Sequence, residues 1–285
     1  MPLIDGVNVE ATGDGAHTVV LLHGFSDNLT TWRRIVPALA VRHRVLAVDL
    51  PGHGLSTRPW TRPLVTSYVD ALGDVLEAYQ VDGPVSIVGN SMGAVVATVF
   101  AALRPEDVDR IALIGMPGMS GVPILWRAAV SRPATIAIRA AMAPIPQPVV
   151  QRGFGWFYLH AASPHPGVID ASALLGFSTH YSERWRMHRL SDLGRALIGE
   201  LVSMHLPTVL DHLDVPALQV WGRHDRLVPP RGVTRDERHV VLRGCGHCPQ
   251  LDAPDRLLEV LMPFLAAGAE AHGERAGLRN RAGGS

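Results

Sequence analysis

The sequence predicts an α/β protein with a mostly parallel central sheet and helices on both faces. Three observations carry this. Apolar runs of strand length alternate with helical patterns from residue 18 to 114 and again from 215 to 265, as βαβ units do around a sheet buried on both sides. One such run, Ser86-Ile87-Val88, leads into Gly89-Asn90-Ser91-Met92-Gly93 and then into a small-residue helical stretch. The loops bearing His23, Asp49 and Ser91 each follow the end of a predicted strand, which is where such sheets bind ligands.

Residues 1–15 read as a short strand or hairpin. Thr18 to Leu22 is wholly apolar after its first residue and suits a doubly buried strand ending at His23-Gly24-Phe25-Ser26. Asn28 to Ala40 has helical spacing, with Trp32, Ile35, Val36 and Leu39 on one face. Arg44 to Val48 is a second strand, ending at Asp49-Leu-Pro-Gly-His-Gly-Leu-Ser56. Thr66 or Ser67 can cap a helix reaching about Tyr79. Val85–Val88 is the next strand, Met92–Leu103 its helix, stopped near Arg104-Pro105, and Arg110–Ile114 another strand. The alternation then breaks. Residues 117–207 contain no buried strand run and are rich in Pro, Ala, Met and aromatics, including Trp126, Phe154, Trp156, Phe157, Tyr158, Phe177, Tyr181 and Trp185. They read as a helical lid inserted into the core formed by 1–116 and 208–267, or alternatively as extra core. Strands resume at Val215–Trp221 and Arg238–Leu242, and Pro254–Leu265 forms a closing helix. Residues 268–285 turn polar and Gly/Arg-rich, as a disordered tail does.

Composition narrows the function. With 47% hydrophobic and 18% charged residues, the 285-residue chain should fold around a sizeable core. Its 26 basic and 26 acidic side chains balance, which argues against a general nucleic-acid binder. No lysine occurs, a bias expected of a GC-rich bacterial genome. Two cysteines, Cys245 and Cys248, exclude a disulfide framework and point to a cytoplasmic setting. Met1–Glu10 lacks the features of a signal peptide. Val122–Val150 is broken by Arg127, Arg132, Pro133 and Arg139 and makes a poor membrane span. No integral membrane association is expected, and the oligomeric state is not legible.

Gly-x-Ser-x-Gly between a strand and a helix has a chemical rationale. A serine nucleophile must stand on a tight turn clear of its neighbours, and the helix after it aims N–H groups at a developing oxyanion. Serine also needs a base within reach and a carboxylate to orient that base. Ser91, Asp225 and His247 are available in that chain order, each after a predicted strand.

On these motifs the chain resembles the α/β-hydrolase superfamily over residues 17–265, and within it the lidded serine esterase, lactonase and haloperoxidase-like branch. His23-Gly24-Phe25 is similar to that family's HG turn and Asp49–Ser56 to its D-x-P-G-H-G-x-S loop. Gly89–Gly93 matches the elbow, Gly222–Asp225 with Pro229 the acid loop, and Gly244–His247 with Asp252 and Pro254 the base loop. The resemblance implies Ser91 as nucleophile, His247 as general base and Asp225 as its partner. It also implies an oxyanion hole of the Phe25 and Met92 backbone N–H groups, and no metal or organic cofactor. His23, Gly24, Ser26, Trp126, Trp156 and Phe157 are the expected substrate-binding residues, for a small and largely apolar molecule.

Rivals follow from the same residues. Among fourteen histidines, His23 and His53 sit in motifs but more readily brace loops, and His224 belongs to an exposed one. Asp49 ends a strand but holds its own loop together. In some relatives the acid follows the strand after the nucleophile helix; here that place reads Gly115-Met116-Pro117. Cys245-x-x-Cys248 lacks the further ligands of a zinc site. Hydrolysis of an ester, lactone or thioester leads. Carbon–carbon hydrolysis of ring-cleavage-type diketones shares the Gly-Asn-Ser-Met-Gly elbow, and acyl transfer could use the same triad. A non-catalytic binder ranks last, because all three residues are retained.

Overall fold

The computed structural model describes residues 3–165, 167, 182–230 and 238–267. Among these residues seven strands form one sheet: β1 Asn8–Thr12, β2 Thr18–Leu22, β3 Arg44–Asp49, β4 Val85–Asn90, β5 Val108–Ile114, β6 Ala217–Gly222 and β7 His239–Leu242. Their spatial order is β1-β3-β2-β4-β5-β6-β7. Only β1 runs antiparallel, paired with β3; every other neighbour pair is parallel. The chain leaves β2 for β3 on one side and returns to β4 on the other. The β2/β4 junction is therefore the point where strand order reverses, and a crevice opens there beyond the strand ends. His23 and Ser91 follow those two strands.

Double burial explains the apolar runs. All residues of β2 and β4 are buried. Val20, Leu22 and Ile87 face one core layer, while Val19, Leu21 and Val88 face the other, because successive strand residues point to opposite faces.

The helices are α1 Val36–Leu39, α2 Leu64–Ala78, α3 Met92–Leu103, α4 Ile124–Ala129, α5 Arg132–Met142, α6 Gln147–Ala162, α7 Arg184–Ser203, α8 Leu206–Asp211 and α9 Pro249–Asp252. A last helix, α10, covers residues 254–267. The helix expected over Asn28–Ala40 is split. A 3-10 turn, Leu29–Trp32, is capped by the Asn28 side chain, and α1 begins afterwards with Pro37 in its first turn. Pro37 lacks an N–H and clashes with the preceding turn, so it can open a helix but not continue one. Trp32, Ile35 and Leu39 are nonetheless buried, as the spacing predicts.

Neither Thr66 nor Ser67 caps α2, which begins at Leu64 after Pro63. The Glu200 carboxylate on α7 accepts the N–H groups of Leu64 and Val65 at 2.5 and 2.9 Å. An anion from a distant helix thus satisfies two orphan donors and the positive helix end.

Residues 124–211 are helical wherever described, apart from short connections, and they divide in role. Leu193, Ala196, Leu197, Ile198 and Leu201 of α7, with Leu206 of α8, join the main core beside α2 and α3. Val150 of α6 with Met187 and Leu190 of α7 forms a smaller cluster against Phe25. Phe177, Tyr181 and the tail expected at 268–285 lie outside the described residues. Among the described residues no helix is long and apolar enough to cross a membrane.

Candidate active site

Ser91 sits between β4 and α3 with φ 53° and ψ −113°, a left-handed backbone that side chains other than glycine rarely adopt. Its N–H donates to the Ile114 carbonyl at 2.8 Å, which pins the turn to β5. The elbow glycines are required by close approach. A Cβ on Gly89 would lie 2.4 Å from the Gly93 carbonyl carbon, and one on Gly93 would lie 2.2 Å from the Leu22 oxygen. α3 therefore starts directly against the end of β2. A Cβ on Gly24 would come within 3.3 Å of the Ser91 Cβ, so the HG turn borders the serine.

The loops after β6 and β7 bring Asp225 and His247 together. His247 Nδ1 lies 2.7 Å from Asp225 Oδ2, and both residues are buried. Asp225 Oδ1 accepts the N–H groups of Leu227 and Val228 at 2.9 and 2.7 Å. The carboxylate is thus held by its own loop and offers its second oxygen to the imidazole. That fixes the tautomer with the proton on Nδ1 and leaves a lone pair on Nε2. Among the described residues no hydrogen bond joins Ser91 Oγ to His247 Nε2; such contacts often tighten only when substrate binds.

Gly115, with φ +56°, lies under this pair. A Cβ there would be 3.0 Å from His247 Nδ1 and 3.2 Å from Asp225 Oδ2. With no side chain at Gly115, Asp225 can reach the ring.

The rival residues have structural partners. His23 is fully buried; its Nδ1 donates to the Gly24 carbonyl at 2.8 Å, and Nε2 accepts the Leu50 N–H at 3.0 Å. Asp49 accepts the Leu29 N–H, the Leu55 N–H and the Asn8 amide. His53 is buried in ring contact with His23, Phe25 and Tyr68. His224 is exposed. Burial pushes the Cys248 thiol well above its ordinary range and the Cys245 thiol up to about 12. Both are buried free thiols, so both remain protonated at neutral pH.

The residues expected to touch substrate are scattered. Gly24 borders Ser91 as above. Ser26 is buried with φ 58°. Trp126 packs against the main core and lines a cavity of about 720 Å³ with Trp221 and Leu227. Trp156 and Phe157 on α6 are 63% and 60% exposed. A separate apolar cavity of about 210 Å³ is lined by Phe25, Val130, Ile138, Phe154, Met187 and Leu190, among others. Of these, only Phe25 and the general aromatic content were visible in the sequence. Ile138 and Met187 carry no signal that separates lining from core.

Comparison with known proteins gives the same frame. Residues 17–135 match the family described as alpha/beta hydrolase fold. An uncharacterized protein of Mycobacterium tuberculosis is 28% identical, covering 92% of this chain and 79% of that protein. A 2-hydroxy-6-oxononadienedioate/2-hydroxy-6-oxononatrienedioate hydrolase of Cupriavidus pinatubonensis is also 28% identical, over 91% of this chain and 90% of that enzyme. A thermophilic esterase of Thermogutta terrifontis superposes with a TM-score of 0.70 at 20% identity, covering 92% of this chain and 93% of the esterase. The sheet order, the elbow and this match give the chain the α/β-hydrolase fold.

Proposed function

We propose that the protein is a serine hydrolase that cleaves a carboxylic ester, lactone or thioester through an acyl-enzyme on Ser91. One observation carries the reading. A serine in strained backbone and a carboxylate-oriented histidine, from distant parts of the chain, share one end of the sheet.

In this reading Ser91 Oγ attacks the substrate carbonyl while its proton passes to His247 Nε2. The carbonyl electrons move to oxygen, which the Phe25 and Met92 N–H groups receive; losing one such donor costs about 10²–10³ in rate. Met92 opens α3, so its N–H has no partner within the helix. Collapse expels the alcohol or thiol, which takes the proton from Nε2. Water then attacks the acyl-enzyme, gives a proton to Nε2, and releases the acid as Ser91 recovers its hydrogen. Asp225 keeps the ring in the correct tautomer throughout.

Residues 117–207 act as a lid on the core of 1–116 and 208–267. The 210 Å³ apolar cavity is bordered by Phe25, whose N–H this reading places in the oxyanion hole, and is the candidate pocket for the substrate.

A second reading is hydrolysis of a carbon–carbon bond in a ring-cleavage-type diketone. The named activity of the Cupriavidus relative favours it.

Purified protein beside Ser91→Ala, with p-nitrophenyl esters of rising chain length, tests both. Turnover that is lost in the variant is expected, and its chain-length optimum measures the pocket. Fluorophosphonate labelling of Ser91 without ester turnover would favour the diketone reading. Neither turnover nor labelling would overturn the serine mechanism.

A further inference from the structure

The carboxyl end of α6 is tied to the loop that carries His247. The His247 N–H donates to the Ala162 carbonyl at 2.6 Å. A Cβ on Gly246 would lie 2.1 Å from that same oxygen, so the approach tolerates only glycine. The Arg226 guanidinium, next to Asp225, donates to the His160 carbonyl at 3.0 Å. One turn back on α6, the Tyr158 hydroxyl lies 3.2 Å from Cys248 Sγ. The inserted helix thus contacts the residues flanking both members of the Asp225–His247 pair.

A continuation runs from Cys248 to the nucleophile. Cys248 Sγ lies 3.8 Å from Asn90 Oδ1, within reach of a sulfur donor. The Asn90 amide then donates to the carbonyls of Ile114 and His247 at 3.3 and 3.0 Å. These two acceptors fix which way the amide faces, with Oδ1 toward the thiol. A protonated thiol can donate to Asn90 and accept from Tyr158 at once. The chain reads Tyr158 O–H to Cys248 S–H to Asn90, and from Asn90 to the base loop. None of Asn90, Cys248 and Tyr158 takes part in the proton transfers described above.

We propose that Tyr158, Cys248 and Asn90 are positioning residues that lock the base loop and the nucleophile elbow to α6, so that the inserted helix sets the registry of His247 against Ser91. This rests on reading Ser91, Asp225 and His247 as the catalytic triad. Cys248 also packs against Ala162 and Leu251, so a purely space-filling role is the rival account.

The two accounts order the variants oppositely. Cys248→Ser keeps a donor and acceptor, whereas Cys248→Val and Cys248→Ala keep apolar character and lose both. Tyr158→Phe removes one hydroxyl and leaves the ring packing. Each folded variant is assayed on a p-nitrophenyl ester for kcat and KM, and for the rate at which a fluorophosphonate labels Ser91. Positioning predicts a fall of about tenfold in kcat and in labelling rate for Tyr158→Phe, Cys248→Val and Cys248→Ala, as one lost hydrogen bond allows. KM stays within about twofold, and Cys248→Ser recovers most of the loss. Wild-type kcat in Tyr158→Phe and Cys248→Val, with Cys248→Ser the poorest variant, would mean packing alone and overturn the proposal. A change in KM only for Tyr158→Phe would make that residue a substrate contact and overturn it too. Tyr158→Phe carries the test if the cysteine variants do not fold. Wild-type protein that resists labelling would remove the triad reading itself, a result distinct from any ordering of variants.

Discussion

At Gly115 a hydrogen in place of a methyl group decides whether Asp225 can meet His247. The backbone there is left-handed, and an added Cβ would press on both His247 Nδ1 and Asp225 Oδ2. Under the proposed mechanism Gly115→Ala should lower kcat/KM by about 10-fold to 10²-fold, because small displacements within a catalytic pair are costly. Ester kinetics beside a melting curve separate this from general unfolding; unchanged kinetics would show that the pair tolerates the methyl. Asp27 makes a different prediction. Burial pushes its carboxyl above the ordinary 3.8, against the lowering influence of His23, the Asn28 N–H and Thr31. A raised acid favours the folded state below its unfolded pKa, and that contribution is lost as pH rises through the folded value. Asp27→Asn cannot ionise. Its Tm should therefore gain on the wild type as pH is raised from about 4 to 7, the two drawing together toward acid. A Tm difference that stays constant over that range would contradict the assignment. Motif order made Ser91, Asp225 and His247 legible as candidates. Gly115 was legible only as a missing carboxylate, because its neighbours in space come from loops that follow two other strands.

At the scale of elements, strands were the most readable. Runs such as Thr18–Leu22 are apolar on both faces because both faces are covered, so composition alone marks them. Helix starts were less readable. The sequence offers Thr66 and Ser67 as caps for α2, yet the donors at Leu64 and Val65 are met by Glu200. No local pattern announces a cap from so far along the chain. Glu200→Ala should destabilise the protein by about 1–2 kcal/mol, the usual worth of a cap. Glu200→Gln keeps one acceptor oxygen and should lose less. Denaturant unfolding of both variants checks this; an unchanged midpoint in Glu200→Ala would mean water replaces the carboxylate at no cost. The aromatics of α6 teach a related lesson. Trp156, Phe157 and Tyr158 are consecutive, but the first two are largely exposed while Tyr158 meets Cys248. Composition signals an aromatic helix, and only its rotation about the axis selects which ring turns inward.

For the whole molecule, the insertion is not an appendage. Leu193, Leu197 and Leu201 of α7 lie in the same core layer as β2, α2 and α3. Leu201, 3% exposed, should cost about 2–5 kcal/mol when cut to alanine. That loss should lower one cooperative transition rather than split it, which calorimetry would reveal. Two separate transitions would mean that the inserted helices unfold independently of the sheet.

Strand identity, sheet class and the order of the chemical motifs were all written in local pattern, because alternating burial and tight turns constrain residues near one another in the chain. The cap on α2, the clearance at Gly115 and the tie from α6 through Cys248 to Asn90 were not. Each joins residues separated by long stretches of chain, and each depends on how distant elements settle on the sheet. Distances of that kind are set by packing all the layers at once, and no window of sequence contains them.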